Sequence, residues 1–243
     1  DRNCQNVTVP PFVKKIAPYA FAKCKNLIKV EFSDDSHLEL IGENAFFDST
    51  LEEITIPKYV TTICENAFSN CQNLKYVKFS KESELKILSK NVFNRSAIEK
   101  ISIPQNVTII EEGAISICSN LKIVKFSSNS KLESICDDSL SNSSIENIFI
   151  PQKVTNIGIK AFRFNENLKK VIFSPYSQLK TIKEESFCGS SIQKIIIPTS
   201  VVHIGKSAFL QCQYLTKIEI PTNSNLKLIK EQAFYNSAIK SIY

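Results

Sequence analysis

The stretch NAFSNCQNLKYVKFS, Asn66–Ser80, recurs along the chain at a fixed distance. In it a cysteine follows a phenylalanine by three residues, and an alternating apolar run comes next. The sequence 47 residues earlier is AFAKCKNLIKVEFS, and 47 residues later it is AISICSNLKIVKFS. Self-similarity at a fixed period is typical of repeat architectures, so the spacing predicts an array of stacked structural units.

The 47-residue period contains two shorter units. One set of prolines follows the full period: Pro10, Pro57, Pro104, Pro151 and Pro198. Apolar pairs with strand spacing recur at alternating intervals of 23 and 24 residues, beginning with Val7/Val9, Val30/Phe32, Ile54/Ile56 and Val77/Phe79. The pattern continues to Ile242, which predicts ten repeats and eleven strands.

Each unit contains the motif L-x-x-I-x-I/F, whose alternation predicts a short strand with one buried face. A single unit cannot bury that face alone, whereas stacking it on similar neighbours does. We therefore expect a solenoid whose parallel strands line one side. Eleven strands at roughly 4.8 Å spacing would make a stack about 50 Å long.

A column of large apolar residues lies in the segment that returns from one strand to the next. It comprises Phe21, Phe46, Phe68, Phe93, Ile115, Leu140, Phe162, Phe187, Phe209 and Phe234. We expect this column to form a buried spine. The residues before it, as in CENAF and KEQAF, predict one short helical turn in each return segment.

The pattern IPxxVxxIxxxAFxxCxxLxxVxF resembles the BspA-like, treponemal-type leucine-rich repeat, from Cys4 to Ile242. The resemblance implies a β-rich α/β solenoid of ten 23/24-residue repeats, with a parallel concave sheet and short helical turns in the return segments. It also implies a cell-surface or secreted location and a binding function, often that of an adhesin in host-associated microbes. The motif residues are structural, so no functional residue follows from them. Asn165 and Tyr214 depart from the usual Cys and Asn.

The register is unbroken, which predicts one solenoid domain over residues 1–243. The chain opens on Asp1 and both ends fall inside a repeat, so we expect a fragment of a longer protein. Uncapped terminal strands also favour end-to-end self-association.

The charge and apolar patterns of the sequence argue against nucleic-acid binding and against membrane insertion. The net charge of +6 comes from dispersed basic residues, with no polybasic tract that indicates nucleic-acid binding. No apolar run approaches the roughly 18 residues of a membrane span, so this segment is not expected to insert into a membrane.

The eight cysteines favour a structural role. Cys24, Cys71, Cys118 and Cys212 share one column, in which the alternate units carry serine. Two such cysteines lie at least two strands, or about 10 Å, apart, and a disulfide tolerates Cα separations only to roughly 7 Å. No C-x-x-C or histidine-bearing metal motif is present, so we expect free thiols that pack as small hydrophobes and no metal or cofactor.

No motif indicates catalysis. The two histidines, His37 and His203, fall in variable columns and should lie roughly 34 Å apart, too far to share a site. Nucleophile elbows, phosphate-binding loops and calcium loops are absent from the sequence. We therefore expect that the protein is not an enzyme.

The most distinctive surface lies on the expected concave side, where alternate strand residues point outwards. Three apolar residues form a run in one outward column, and we name them the strip: Phe149, Ile172 and Ile196. Lysines stack in the adjacent column and are named the lysine row: Lys170, Lys194 and Lys217. Ile123 and Lys169 complete the candidate binding residues. An apolar patch with a charged rim is typical of an interaction surface, although β-branched residues also simply favour strands.

The leading hypothesis is a non-catalytic binding module. Its concave face would recognise a host-cell or extracellular-matrix protein, or an acidic glycan. The alternative is a structural spacer or self-assembling repeat array without a ligand of its own.

Overall fold

The computed structural model describes residues 4–242, except the side chain of Ile242, as a solenoid of ten turns. Each turn contributes one strand of three or four residues, called the longer strand, and one two-residue strand; β21, of two residues, follows the last turn and continues the series of longer strands. The longer strands are β1 (Asn6–Val9), β3 (Lys29–Phe32), β5 (Glu53–Ile56), β7 (Tyr76–Phe79), β9 (Lys100–Ile103), β11 (Ile123–Phe126), β13 (Asn147–Ile150), β15 (Lys170–Phe173), β17 (Lys194–Ile196), β19 (Lys217–Glu219) and β21 (Ser241–Ile242). The short strands are β2 (Lys15–Ile16), β4 (Leu40–Ile41), β6 (Thr62–Ile63), β8 (Ile87–Leu88), β10 (Ile109–Ile110), β12 (Ser134–Ile135), β14 (Asn156–Ile157), β16 (Thr181–Ile182), β18 (His203–Ile204) and β20 (Leu228–Ile229).

The longer strands form one parallel sheet of eleven, as the sequence predicts. The register follows the repeat, since Val30 of β3 lies opposite Val7 of β1 and Ile54 of β5. The short strands form two further parallel sheets, of three and seven strands. The 23- and 24-residue steps therefore bring equivalent residues of successive turns side by side.

The predicted short helical turns are wrong, because the structure contains no helix between residues 4 and 242. Alternate backbone amides of the first nine return segments donate to the next turn of the solenoid. Phe46, for example, donates to the carbonyl of Ala67 at 2.8 Å. The amides between them bond three residues back, as Ala45 does to Gly42 at 3.2 Å. These bonds replace the bonds to the residue four positions back that define an α-helix.

Left-handed residues explain why the return segments stay non-helical. Each return segment places two residues in this conformation, four positions apart, as in Asn44 (φ 53°) and Asp48 (φ 56°). An α-helix requires right-handed dihedral angles at every position. Every four-residue stretch therefore contains a residue that would interrupt the helix.

The core is continuous from Val9 to Ala233 and is built from the repeating apolar columns. The predicted phenylalanine spine is confirmed. Its rings stack almost parallel on successive turns, with centroids 4.9 Å apart for Phe46 and Phe68 and 5.3 Å apart for Phe187 and Phe209. Ile115 and Leu140 occupy two positions in the middle and divide the rings into two stacks.

No helix in the part of the chain that the structure describes is long and apolar enough to cross a membrane.

Candidate partner-binding face

Strand geometry presents the candidate residues to solvent. On β15, Val171 is buried, while its neighbours Lys170 and Ile172 are exposed. The same alternation occurs on β13 and β17. We call the outward-pointing residues of the eleven-stranded sheet the exposed face.

The predicted orientation of the strip and of Ile123 is confirmed. Their side chains are 41% to 50% exposed, compared with 6% or less for the buried residues on the same strands. Phe149 lies directly opposite Ile172, and Ile196 is two residues beyond Lys194, which lies opposite Lys170. The strip is therefore contiguous on three neighbouring strands, and its role in binding stays a prediction.

The structure brings five of the eight candidate residues into one groove of about 750 Å³ on the exposed face. They are Lys169, Lys170, Ile172, Lys194 and Ile196. Ile123, Phe149 and Lys217 lie outside the groove lining.

Prolines that the sequence analysis did not select line one side of the groove. Pro175, Pro198 and Pro221 come from three successive turns. Pro198 belongs to a regular column, but Pro221 stands where the equivalent residue is Ser33, Ser80, Ser127 and Ser174. Pro175 likewise breaks a column of Asp34, Lys81, Ser128 and Thr222. Because each of these two prolines breaks a repeating column, the sequence alone contained a signal that could have identified them.

Few backbone pairs join the two strands that carry the groove. A single bridging pair, Lys170 and Lys194, joins β15 to β17, whereas four pairs join β13 to β15. Pro198 has no amide hydrogen with which to extend the ladder. Phe173, the last residue of β15, and Ile197, the residue after β17, are among the residues that line the groove.

Glu219 partly neutralises the lysine row. Its Oε1 lies 2.8 Å from Nζ of Lys194 and 2.7 Å from Nζ of Lys217. The hydrogen bonds donated by Lys194 and Lys217 lower the pKa of the Glu219 carboxyl below its ordinary value. The sequence analysis did not predict this internal carboxylate, which occupies the column that carries the strip on earlier strands.

Lys169 and Lys170 have no such partner. Within residues 4–242, neither amine forms an ion pair or a side-chain hydrogen bond. Elsewhere on the exposed face, Lys29 pairs with Glu31 at 2.6 Å and with Glu53 at 3.9 Å. The groove therefore carries uncompensated positive charge beside the apolar side chains of Ile172 and Ile196.

All eight cysteines are free thiols. Burial raises the pKa of the thiols of Cys71, Cys118 and Cys212 to about 11, so they are neutral at physiological pH. A neutral buried thiol is a poor nucleophile and metal ligand. Among the described residues, no group of three His, Cys, Asp or Glu side chains could hold a metal ion.

The two histidines lie on different turns. The ring of His37 stacks on Tyr59 with a centroid separation of 6.1 Å, and His203 lies on β18. Neither lines the groove on the exposed face.

Comparison with known proteins identifies the repeat. The family model described as BspA type leucine rich repeat region, in six copies, matches residues 1–122, 39–168, 86–195 and 133–243. None of the curated proteins compared with the chain matches it.

Three solved structures show the same fold. A leucine-rich repeat protein of Bacteroides ovatus is 24% identical, with a TM-score of 0.56 over 94% of this chain and 75% of its own. A leucine rich cell surface protein of Faecalibacterium prausnitzii is 26% identical, with a TM-score of 0.53 over 98% of this chain and 59% of its own. The pneumococcal vaccine antigen PcpA is 23% identical, with a TM-score of 0.55 over 98% of this chain and 69% of its own. The family model covers the length of the sequence, and the chain therefore belongs to the BspA-type leucine-rich repeat family.

Proposed function

We propose that this chain is a non-catalytic binding module of a cell-surface or secreted protein, and that it recognises a protein partner through its exposed face. The observation that carries the proposal is the groove in which Ile172 and Ile196 lie beside Lys169 and Lys170. The surface location is supported by the family and by the similarity to the Faecalibacterium prausnitzii cell surface protein.

The groove has the chemistry of a protein interface. Burying the half-exposed side chains of Ile172 and Ile196 against a partner would be favourable at about 25 cal/mol per Å² of apolar area. The amines at its rim would favour acidic partners and speed their approach. A host-cell or extracellular-matrix protein can supply both kinds of contact. An acidic glycan would pair with the amines but would bury little of the aliphatic surface of Ile172 and Ile196.

The test compares binding of three forms of the purified chain to cultured epithelial cells, immobilised collagen and laminin, and heparin beads. The first form is the natural sequence. The second carries Phe149→Glu, Ile172→Glu and Ile196→Glu. The third is a matched control in which Thr8→Glu, Thr55→Glu and Ser102→Glu add the same charge to exposed positions of the same column on β1, β5 and β9.

Saturable binding to cells or matrix protein that the strip variant loses and the control keeps is the expected result. Circular dichroism and thermal unfolding must show that both variants are folded. Binding that both variants retain would move the site to another surface. Binding to heparin alone would favour the glycan partner.

No binding by any form would favour the structural spacer or self-assembling array. Sedimentation velocity over a range of concentrations would then show whether the chain associates end to end.

A further inference from the structure

The spacing of side chains on β15 constrains the partner of the groove. Lys170 and Ile172 lie two residues apart on one strand and point to the same side, with Val171 buried between them. Residues so related are separated by roughly 6.6 to 6.8 Å along a strand. The groove therefore offers an amine and an aliphatic surface from neighbouring outward positions of one strand.

An extended peptide has the same spacing. Its side chains at positions i and i+2 lie on one face and are separated by the same distance. In a helix, the residues that share a face are three or four positions apart. The number of residues between the acidic and the apolar side chain of a ligand thus distinguishes an extended segment from a helical one.

Ile196 widens the apolar contact on the next strand. It lies two residues beyond Lys194, which is opposite Lys170, so Ile172 and Ile196 flank the same position in the groove. Pro175 and Pro198 line the same groove at the carboxyl ends of these two strands. One large aliphatic or aromatic side chain would contact this surface.

Glu219 determines where a ligand carboxylate can bind. It already occupies the amines of Lys194 and Lys217 at 2.8 and 2.7 Å. A second carboxylate at that position would be repelled and would have to compete with an intramolecular partner. The unpaired amines of Lys169 and Lys170 remain the favourable position for a ligand carboxylate.

We propose that the groove binds an extended, acidic protein segment in which an Asp or Glu is separated by one residue from a large aliphatic or aromatic residue. Lys169 and Lys170 bind the carboxylate, Ile172 and Ile196 bind the apolar side chain, and Glu219 excludes acidic groups from the neighbouring strands. This inference rests on the proposed function and names the chemistry of its partner.

The test is selection of random linear peptides, displayed on yeast, against the immobilised natural chain. The expected result is enrichment of acidic–apolar pairs with one residue between them, relative to the unselected library. A synthetic peptide taken from the enriched set then serves as the probe in fluorescence polarisation.

Two single variants test assigned residues with this probe, and a third serves as their control. Lys170→Gln should weaken binding about tenfold, which corresponds to the loss of one charged hydrogen bond. Lys100→Gln is the matched control, since Lys100 is an exposed lysine of the same column on β9 and should change binding by less than about twofold. Glu219→Gln should strengthen binding, because it releases the amines of Lys194 and Lys217.

Several results would overturn the inference. They are the absence of any enriched peptide, enrichment at spacings of three or four residues, and equal effects of Lys170→Gln and Lys100→Gln. Any of them would leave the proposed function standing if the strip variant still lost binding to cells or matrix protein. The proposed function itself would be contradicted if the strip variant bound cells or matrix protein as well as the natural chain does.

Discussion

The thiol of Cys71 donates a hydrogen bond to the backbone carbonyl of Phe46, with a sulfur–oxygen distance of 3.0 Å. Cys118 and Cys212 make the same bond to Phe93 and Phe187, both at 3.2 Å. The sequence analysis expected these cysteines to pack as small hydrophobes. The structure shows that it also supplies a donor to a buried carbonyl of the preceding turn.

Asn165 tests this requirement, because it replaces cysteine in the column. Its Nδ2 donates to the carbonyls of Leu140 at 2.8 Å and Phe162 at 3.0 Å, while its buried Oδ1 has no partner. We expect Asn165→Leu to lower the free energy of unfolding by about 1 to 3 kcal/mol, since the buried carbonyl of Leu140 loses its side-chain donor while that of Phe162 keeps the backbone amide of residue 165. Urea unfolding measures the change.

Asn165→Cys is the matched control for that substitution. It restores the residue found elsewhere in the column and removes the unpaired oxygen, so we expect a change within about 1 kcal/mol. If the leucine variant were as stable as the cysteine variant, packing alone would define the column.

The buried thiols should make stability fall at alkaline pH. Their folded-state pKa values are about 11, compared with an ordinary value of 9.0. Each thiol therefore contributes stability that is complete below pH 9 and declines as the pH rises towards 11. At about pH 10 the loss is about 1.4 kcal/mol for each thiol.

Cys118→Ser isolates this contribution, because lysine deprotonation affects both proteins alike. The difference in unfolding free energy between about pH 8 and about pH 10 should be smaller in the variant by about 1.4 kcal/mol. An equal difference in the two proteins would show that Cys118 does not contribute.

The repeat allowed most of the fold to be predicted from sequence. Strand positions, the parallel sheet and the phenylalanine spine follow from apolar periodicity, which fixes the residues that must be buried. The helical turns were predicted wrongly because Ala, Glu and Asn are compatible with a helix. Many left-handed positions carry Asn, Asp or Gly, which favour this conformation, but others carry residues as different as Tyr19, Lys160 and Ser207, so the signal is diluted along the repeat.

The candidate site was predictable only in part. Strand alternation determines that Ile172 and Lys170 point outwards, so the column analysis could select them. The groove is also lined by Pro175 and Pro221, which break the repeat and which the column analysis therefore did not select. The contact of Glu219 with two lysines depends on side-chain conformations at the surface.

Ile117 is a strained position, and the equivalent residue of the next turn suggests a substitution that relieves the strain. It is a β-branched residue at φ 57°, and the equivalent residue in the next turn is Asn142 at φ 51°. Asparagine tolerates this conformation better than isoleucine does. We expect Ile117→Asn to raise the free energy of unfolding by about 1 kcal/mol, and the melting temperature by about 2 to 4 °C.

Asn142→Ile is the reciprocal variant and should lower the melting temperature by a similar amount. Differential scanning calorimetry measures both. If both substitutions changed stability in the same direction, backbone strain would not be the cause.

Because Gly189 has no side chain, the ring of Phe164 packs directly against its backbone. Gly189 has φ +70°, and a Cβ atom added there would lie 2.5 Å from Cδ1 of Phe164. The guanidinium of Arg163 covers the same ring at 4.4 Å from its centroid, which restricts where the ring can move. Gly189→Ala should therefore destabilise the protein through both the left-handed backbone and the clash.

A double-mutant cycle separates these two causes. The backbone cost of about 1 to 2 kcal/mol should persist in Gly189→Ala made together with Phe164→Ala, whereas the clash should disappear. We expect the two substitutions to be less destabilising together than the sum of their separate effects, by at least about 1 kcal/mol in urea unfolding. Additive effects would mean that the ring of Phe164 moves away from the added methyl group without cost. Glycine would then be needed at position 189 only for its left-handed backbone conformation.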